Sequence, residues 1–404
     1  MLNVGPGRRD LIVALVGRTV STFGDGVALV ALTLRLQADG AHPWEVALLL
    51  GGGVVPQLLL ARPIGRLADT HDSRHLLVAG GLAEIVATIP LVFVHSVVAI
   101  LPLVAVLGAA TALTGATWSA LIPRVVGEDH LAEAVSAQQS LSVLALVGAP
   151  AVGGLLAGAF GTGLPVALDV ATYVVVTVAA VLVRTRRVPE RAPAADEPNR
   201  LRSGFAILRA DSLLAPLLAG VALVVLLVGM VDVVLVYLVR ETLHAGGVWY
   251  GVTEASWMAG MVGGALGAAR VRTEHGRIRA TIGGAALACA GLAGYAVAPD
   301  VAILVPLSVL GGVGNGYAGA CLSTLVMART PDGARGRVSA AANAVFGGAQ
   351  GASLMLGGLA AIVLSPRAIY ALAGLLGVSA AGALAVTSAK SVEREPEVGL
   401  EPTT

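Results

Sequence analysis

Twelve apolar runs, each long enough to cross a lipid bilayer, fix what this chain can fold into. They occupy 11–36, 45–64, 75–95, 97–121, 138–160, 163–183, 213–239, 249–269, 280–298, 301–327, 338–364 and 367–388. A hydrocarbon core about 30 Å thick takes roughly 20 residues of helix. Helix is also the form in which every backbone N–H and C=O finds a partner within its own segment, as lipid demands. Charged residues make up 13% of the 404, about half the share usual in soluble domains. The expectation is an all-α membrane protein with 12 transmembrane helices. Glycine, 52 residues in all, often recurs at small-xxx-small spacing and predicts close helix approach.

Several functions are excluded on composition. The net charge of +1 offers no electrostatic footprint for a nucleic acid. Cys289 and Cys321 lie in apolar runs and are not spaced as metal ligands, so neither a metal nor a disulfide framework is expected. Lys390 is the only lysine and no phosphate-cradling G-x-x-x-x-G-K-[ST] occurs, so the chain carries no nucleotide site and no cofactor is expected. The seven histidines sit almost wholly in loops or at helix ends, away from any nucleophile, which argues against an enzyme. The first apolar stretch is too long for a signal-peptide core and is expected to be retained.

Positive charge sets the sidedness. With both termini in the cytoplasm, 22 of the 26 Lys and Arg fall on the cytoplasmic side, leaving only Arg18, Arg35, Arg240 and Arg367. The longest connection follows the sixth run, and its RTRRVPERAPAADEPNR portion has linker composition. The next segment, LRSGFAILR, reads as a short amphipathic helix on the inner leaflet. An offset of 205 pairs Arg35 with Arg240, Trp44 with Trp249, Arg74 with Arg279 and Arg124 with Arg329; an offset of 204 pairs Gly153–Gly154 with Gly357–Gly358. This register predicts a duplicated chain: a six-helix bundle over 1–183, a linker over 184–212, a second bundle over 213–388 and a cytoplasmic tail over 389–404. Parallel repeats of this kind suit a carrier whose bundles rock about a central site.

Charges inside the runs are the candidate working parts, because a mid-bilayer charge costs roughly 2.5–3.5 kcal/mol or more. Arg18 and Asp25 lie two helical turns apart on one stripe, with Thr22 between them. The stripe reads either as polar lining of a pathway or as a salt-bridged strut. Asp232 lies at a similar depth in the seventh run, and its alternative reading is a structural pair with Arg240. Glu84, Asp169 and Glu254 also lie within or near the runs, the last two toward outer ends where water reaches. Phe23, Trp118, Tyr173, Trp257, Tyr317 and Phe346 are candidate cavity aromatics.

Two motifs carry a family resemblance. GRLADTHDSRH, Gly65 to His75, resembles the loop signature of the major facilitator superfamily, with Thr70, Asp72 and Ser73 where basic or glycine residues are common. GAPAVGG, Gly148 to Gly154, resembles that superfamily's exporter element, matching at Gly148, Pro150, Gly153 and Gly154. GRTVSTFGD, LIPRVVGEDHLAEA, LDVATY, GGVGNG and RTPDGARGRV are similar to the macrolide-efflux and enterobactin-exporter-like branch, among drug:H+ antiporters. The resemblance covers nearly the whole chain.

The resemblance implies the major facilitator fold, with two pseudo-symmetric bundles, and a bacterial plasma-membrane exporter of small amphipathic molecules by proton antiport. The alternative is a facilitator or symporter importing a small nutrient. It puts Arg18, Phe23, Asp25, Trp118, Asp232, Tyr237 and Asn315 near the pathway, with Asp25 as proton carrier. It also implies a gating loop in which Gly65 permits a close helix end, Asp69 pairs with Arg124, and Arg74 anchors in the headgroups. Carriers of this design act as monomers in the lipid bilayer.

Overall fold

The computed structural model describes residues 8–127, 130–186 and 197–394. The Pro-rich part of the expected linker, the GEDH turn at 128–129 and the tail beyond Arg394 lie outside the described residues. Among these residues there are 14 α-helices and no strand: α1 (Arg8–Ala38), α2 (Pro43–Leu59), α3 (Ala61–Thr70), α4 (Ser73–Leu91), α5 (Val97–Val126), α6 (Leu131–Phe160), α7 (Gly163–Leu182), α8 (Glu197–Ala210), α9 (Leu214–Tyr237), α10 (Gly247–Ala268), α11 (Glu274–Val297), α12 (Val301–Arg329), α13 (Arg335–Val363) and α14 (Pro366–Arg394). A π-helical turn, Leu238–Thr242, extends α9.

Ten of these are long and apolar enough to cross a membrane. The pair α2–α3, bent by 55°, passes the same test only when its two helices are taken together. The expected twelfth position is held by α10, which carries Glu254 and six glycines from Gly247 to Gly267 and falls below that apolarity. Large apolar side chains such as Val86, Val98, Leu155 and Leu266 are exposed along the helices, as a lipid-facing surface requires.

Helices α1 and α4–α7 pack on one another in the first half, as α9–α14 do in the second. The halves meet where α6 packs on α10 and α2 on α13. Glycine makes both seams. A side chain on Gly251 of α10 would strike the Pro150 carbonyl of α6, and Gly154 faces Gly251 Cα at 3.0 Å. On the other seam, Gly358 of α13 faces Ala47 Cβ at 2.8 Å and Trp44 Cα at 3.1 Å. Gly153 and Gly357 seat their helices against Val27 of α1 and Met230 of α9.

The apolar core differs between the two ends of the molecule. Away from the linker, one cluster spans both halves and includes Leu34, Leu36 and Leu49 with Val234, Val236 and Tyr237. At the linker end the core splits. One cluster, with Leu11, Leu15, Trp118 and Leu121, belongs to the first half; another, with Leu214, Leu217, Leu322 and Leu325, belongs to the second. Helix α8 contributes Leu208 to the second cluster, and its Gly204 abuts the Arg337 backbone. It therefore packs on α13, where the amphipathic pattern alone suggested a helix lying on the leaflet.

Candidate functional site

Two groups of membrane-embedded carboxylates stand out, one in each half. In the first, Asp25 accepts a hydrogen bond from the Tyr173 hydroxyl of α7. Glu84 of α4 accepts from Thr114 Oγ1 of α5 at 2.9 Å. Asp169 accepts from Thr172 Oγ1 at 3.0 Å and lies against Gly24, next to Asp25, where no side chain would fit. Glu84 and Asp169 are only 2% and 1% exposed, and Glu84 Oε2 and Asp169 Oδ2 have no hydrogen-bond partner. A buried polar atom normally has one, so two orphans in one cluster need an explanation.

The expected pathway residues separate. Arg18 Nη1 donates to the Gly115 carbonyl of α5 at 3.4 Å. Neither Arg18 nor Asp25 enters an ion pair among the described residues, so the strut between them is absent. Phe23 faces Gly148 of α6 at 3.4 Å from its Cβ position. Trp118, 2% exposed, is packed into the linker-end core of the first half. Tyr237 belongs to the far end, where its hydroxyl donates to the Ala41 carbonyl at 2.6 Å and ties α9 to the α1–α2 turn.

Two expected residues, Asp232 and Asn315, line one cavity between the helices of the second half. The structural alternative for Asp232 fails, because Arg240 donates to the Ala245 carbonyl at 3.1 Å and to Gln37 at 3.4 Å. The cavity, about 250 Å³, is also lined by Glu254, Trp257, Tyr295 and Tyr370. Asn315 lines a second cavity as well, about 260 Å³, whose other walls include Val221, Leu322, Val326 and Phe346. The GGVGNG run explains how α10 reaches this place. Gly312 and Gly316 of α12 abut the Trp257 and Met261 carbonyls, where any Cβ would collide. Sequence reasoning placed Glu254 near an outer end; helix packing brings it to the cavity instead.

The signature segment is built differently from the loop expected. Gly65 lies inside α3 with open space at its Cβ position, so no close helix end depends on it. Asp72 caps α4 by accepting from the Arg74 amide at 2.8 Å, which accounts for an acid at that position. The Arg74 guanidinium donates to the Val183 carbonyl beyond α7 at 2.5 Å, tying the start of α4 to the end of α7. Asp69 and Arg124 lie on α3 and α5, which pack together. The residues 205 further on, Glu274 and Arg329, form an ion pair, and Arg329 also pairs with Asp211 at 2.9 Å.

A many-helix membrane protein with a glycine-lined seam and buried carboxylates at mid-depth is the form of a small-molecule transporter. A profile of the Major Facilitator Superfamily matches residues 14–354, and the chain belongs to that family. Macrolide efflux protein A of Streptococcus pyogenes is 26% identical over 263 residues, which is 62% of this chain and 64% of that protein; the match thus spans less than two thirds of the relative's length. Among solved structures, a mutant of the nucleoside transporter NupG is similar with a TM-score of 0.74 at 10% identity, covering 94% of this chain and 99% of that one. A bacterial homologue of the iron transporter ferroportin, in an inward-facing state, gives 0.72 at 16% identity over 96% and 99%. These likenesses show the fold, and the chain is a multi-pass membrane transporter of the major facilitator fold.

Proposed function

We propose that this chain is a bacterial plasma-membrane exporter of small amphipathic molecules, driven by proton antiport. Two six-helix bundles, 1–183 and 213–388, rock about the α6–α10 and α2–α13 seams with both termini in the cytoplasm. The chain works as a monomer, and Asp25 takes up and releases the coupling proton.

The carrying observation is the cluster of Asp25, Glu84 and Asp169. Glu84 and Asp169 are buried and Asp25 beside them is half-buried, two of their oxygens are orphaned, and no cationic side chain pairs with any of the three among the described residues. Unpaired charge in such surroundings costs several kcal/mol per ion. A proton is the ligand that removes this cost without needing room. Support for alternating access comes from the continuous core at one end and the divided core at the other, which fit a carrier closed outside and parted toward the linker. Support for export comes from the GAPAVGG seam and the macrolide-efflux relative.

The test is uptake of a radiolabelled macrolide into everted membrane vesicles with an imposed proton gradient. Uptake should rise with the gradient, and Asp25→Asn should remove that response. Uptake indifferent to the gradient refutes the coupling, and accumulation only in right-side-out vesicles reverses the direction.

A further inference from the structure

The two cavities that share Asn315 differ in chemistry. One holds Asp232 and Glu254, neither of which has a hydrogen-bond or ion-pair partner among the described residues. Among the described residues, no arginine, lysine or histidine lines it. Its walls include Trp257 and the stacked rings of Tyr295 and Tyr370, whose centroids are 4.9 Å apart. The other cavity is walled mainly by aliphatic residues and Phe346, and its polar groups, Asn315, Ser323, Ser339 and Asn343, carry no charge.

We propose that these adjoining cavities form one cargo site for an amphipathic cation. The acidic, aromatic cavity takes the cationic end and the apolar cavity takes the hydrophobic body. Two carboxylates without a counter-charge attract a cation electrostatically, and aromatic faces add cation–π attraction without needing a specific donor. An anion of the same shape meets like charge and is rejected. A neutral molecule fills the space but leaves both carboxylates unpaired. Asn315, on the rim of both cavities, contacts the join between head and body.

This inference rests on the reading of the chain as a carrier of amphipathic cargo, but not on proton coupling. The binding test uses the full chain in nanodiscs, with radiolabelled tetraphenylphosphonium and its isosteric anion tetraphenylborate at neutral pH and no gradient. The cation should bind and the anion should not. Asp232→Asn and Glu254→Gln should each weaken cation binding by about tenfold, while the charge-retaining Asp232→Glu and Glu254→Asp keep most of it. In the unmodified protein, tetraphenylphosphonium should also protect Asp232 and Glu254 from a hydrophobic carbodiimide, read by peptide mass spectrometry.

Equal binding of the two ions, or full cation binding in Asp232→Asn/Glu254→Gln, overturns the assignment. So does an absence of protection in the unmodified protein. Loss of the gradient response in vesicles with selective cation binding intact removes the antiport reading and leaves this one standing; gradient-driven export without ion discrimination does the reverse.

Discussion

The two halves share a scaffold but not its polar furniture. In the first half, Glu84 and Asp169 are sealed from solvent and bonded to hydroxyls of Thr114 and Thr172. In the second, Asp232 and Glu254 face a cavity and bond to nothing among the described residues. Yet the glycine pairs Gly153–Gly154 and Gly357–Gly358 make equivalent contacts, each seating its helix against the first helix of its own half and against the other half. Backbone approach is thus common to the halves, whereas the ionisable groups have diverged into a closed site and an open one. Such a division suits a machine that must hold a small ion and a larger cargo in different places.

The most damaging change should be at the seams, and it should break their symmetry. Gly251 approaches backbone on α6, which cannot rotate away, whereas Gly358 meets the Ala47 side chain as well as Trp44. Overpacking costs typically 1–3 kcal/mol where side chains can yield, and more where backbone must move. Gly251→Leu should therefore abolish both accumulation in the membrane and transport. Gly251→Ala should lower the thermal unfolding midpoint more than Gly358→Ala. Equal losses from the two alanine variants would mean that the seams are mechanically alike.

A smaller but sharper contrast concerns Arg35 and Arg240, which share the 205-residue register. Arg35 is 2% exposed and donates to Thr162 at 3.0 Å and to the carbonyls of Leu91 and Val94 at 2.5 and 3.1 Å. It ties α1 to the ends of α4 and α7. Arg240 makes only two such bonds, at 3.1 and 3.4 Å, and sits across the contact with α1. In its place Arg367 donates to the Ala298 carbonyl at 3.0 Å in the second half. Each orphaned carbonyl costs about 1–3 kcal/mol, so Arg35→Ala should destabilise by about 3 kcal/mol and Arg240→Ala by about 1. Unfolding midpoints in detergent measure both, and a larger loss from Arg240→Ala would reverse the assigned roles.

How legible was this in the sequence? The spans were, because their length is set by bilayer thickness and their apolarity is local. Of the repeated register, the glycine pairs were legible: Gly153–Gly154 and Gly357–Gly358 make like contacts. Inter-helix partnerships were not. Nothing near Asp25 in sequence announces Tyr173, 148 residues away, and the Arg18–Asp25 stripe looked like a pair only because helical spacing is the one geometry a sequence displays. Gly65 was misplaced for the opposite reason: a motif fixes residue type, while the bend between α2 and α3 decides what that residue touches. Glu254 was undervalued because its depth depends on glycines of another helix.

The smallest effect should appear where the second half anchors α12 at the linker end. Asp211 accepts from the amides of Leu213 and Leu214, each at 2.9 Å, and from Arg329. Burial pulls its carboxyl upward, but the Leu214 amide, the Arg329 guanidinium and the Leu213 amide outweigh that and hold it below the ordinary value of 3.8. A carboxyl depressed on folding contributes stability that is complete above its unfolded value and is lost as pH falls through the folded one. Asp211→Asn should therefore cost about 1 kcal/mol at neutral pH, since the pair is partly exposed, and the gap to the unmodified protein should close below about pH 4. Asp10 is the corresponding anchor in the first half, accepting from the amides of Arg184 and Thr185 at 2.9 and 2.8 Å and from the Thr185 hydroxyl at 2.9 Å, with Arg9 only a minor electrostatic neighbour and no arginine side chain bonded to it. Added salt should then shrink the Asp211→Asn effect, by screening its link to Arg329, more than it shrinks that of Asp10→Asn. Equal salt sensitivity would show that the amide bonds, and not the charge of Arg329, hold α12 in place.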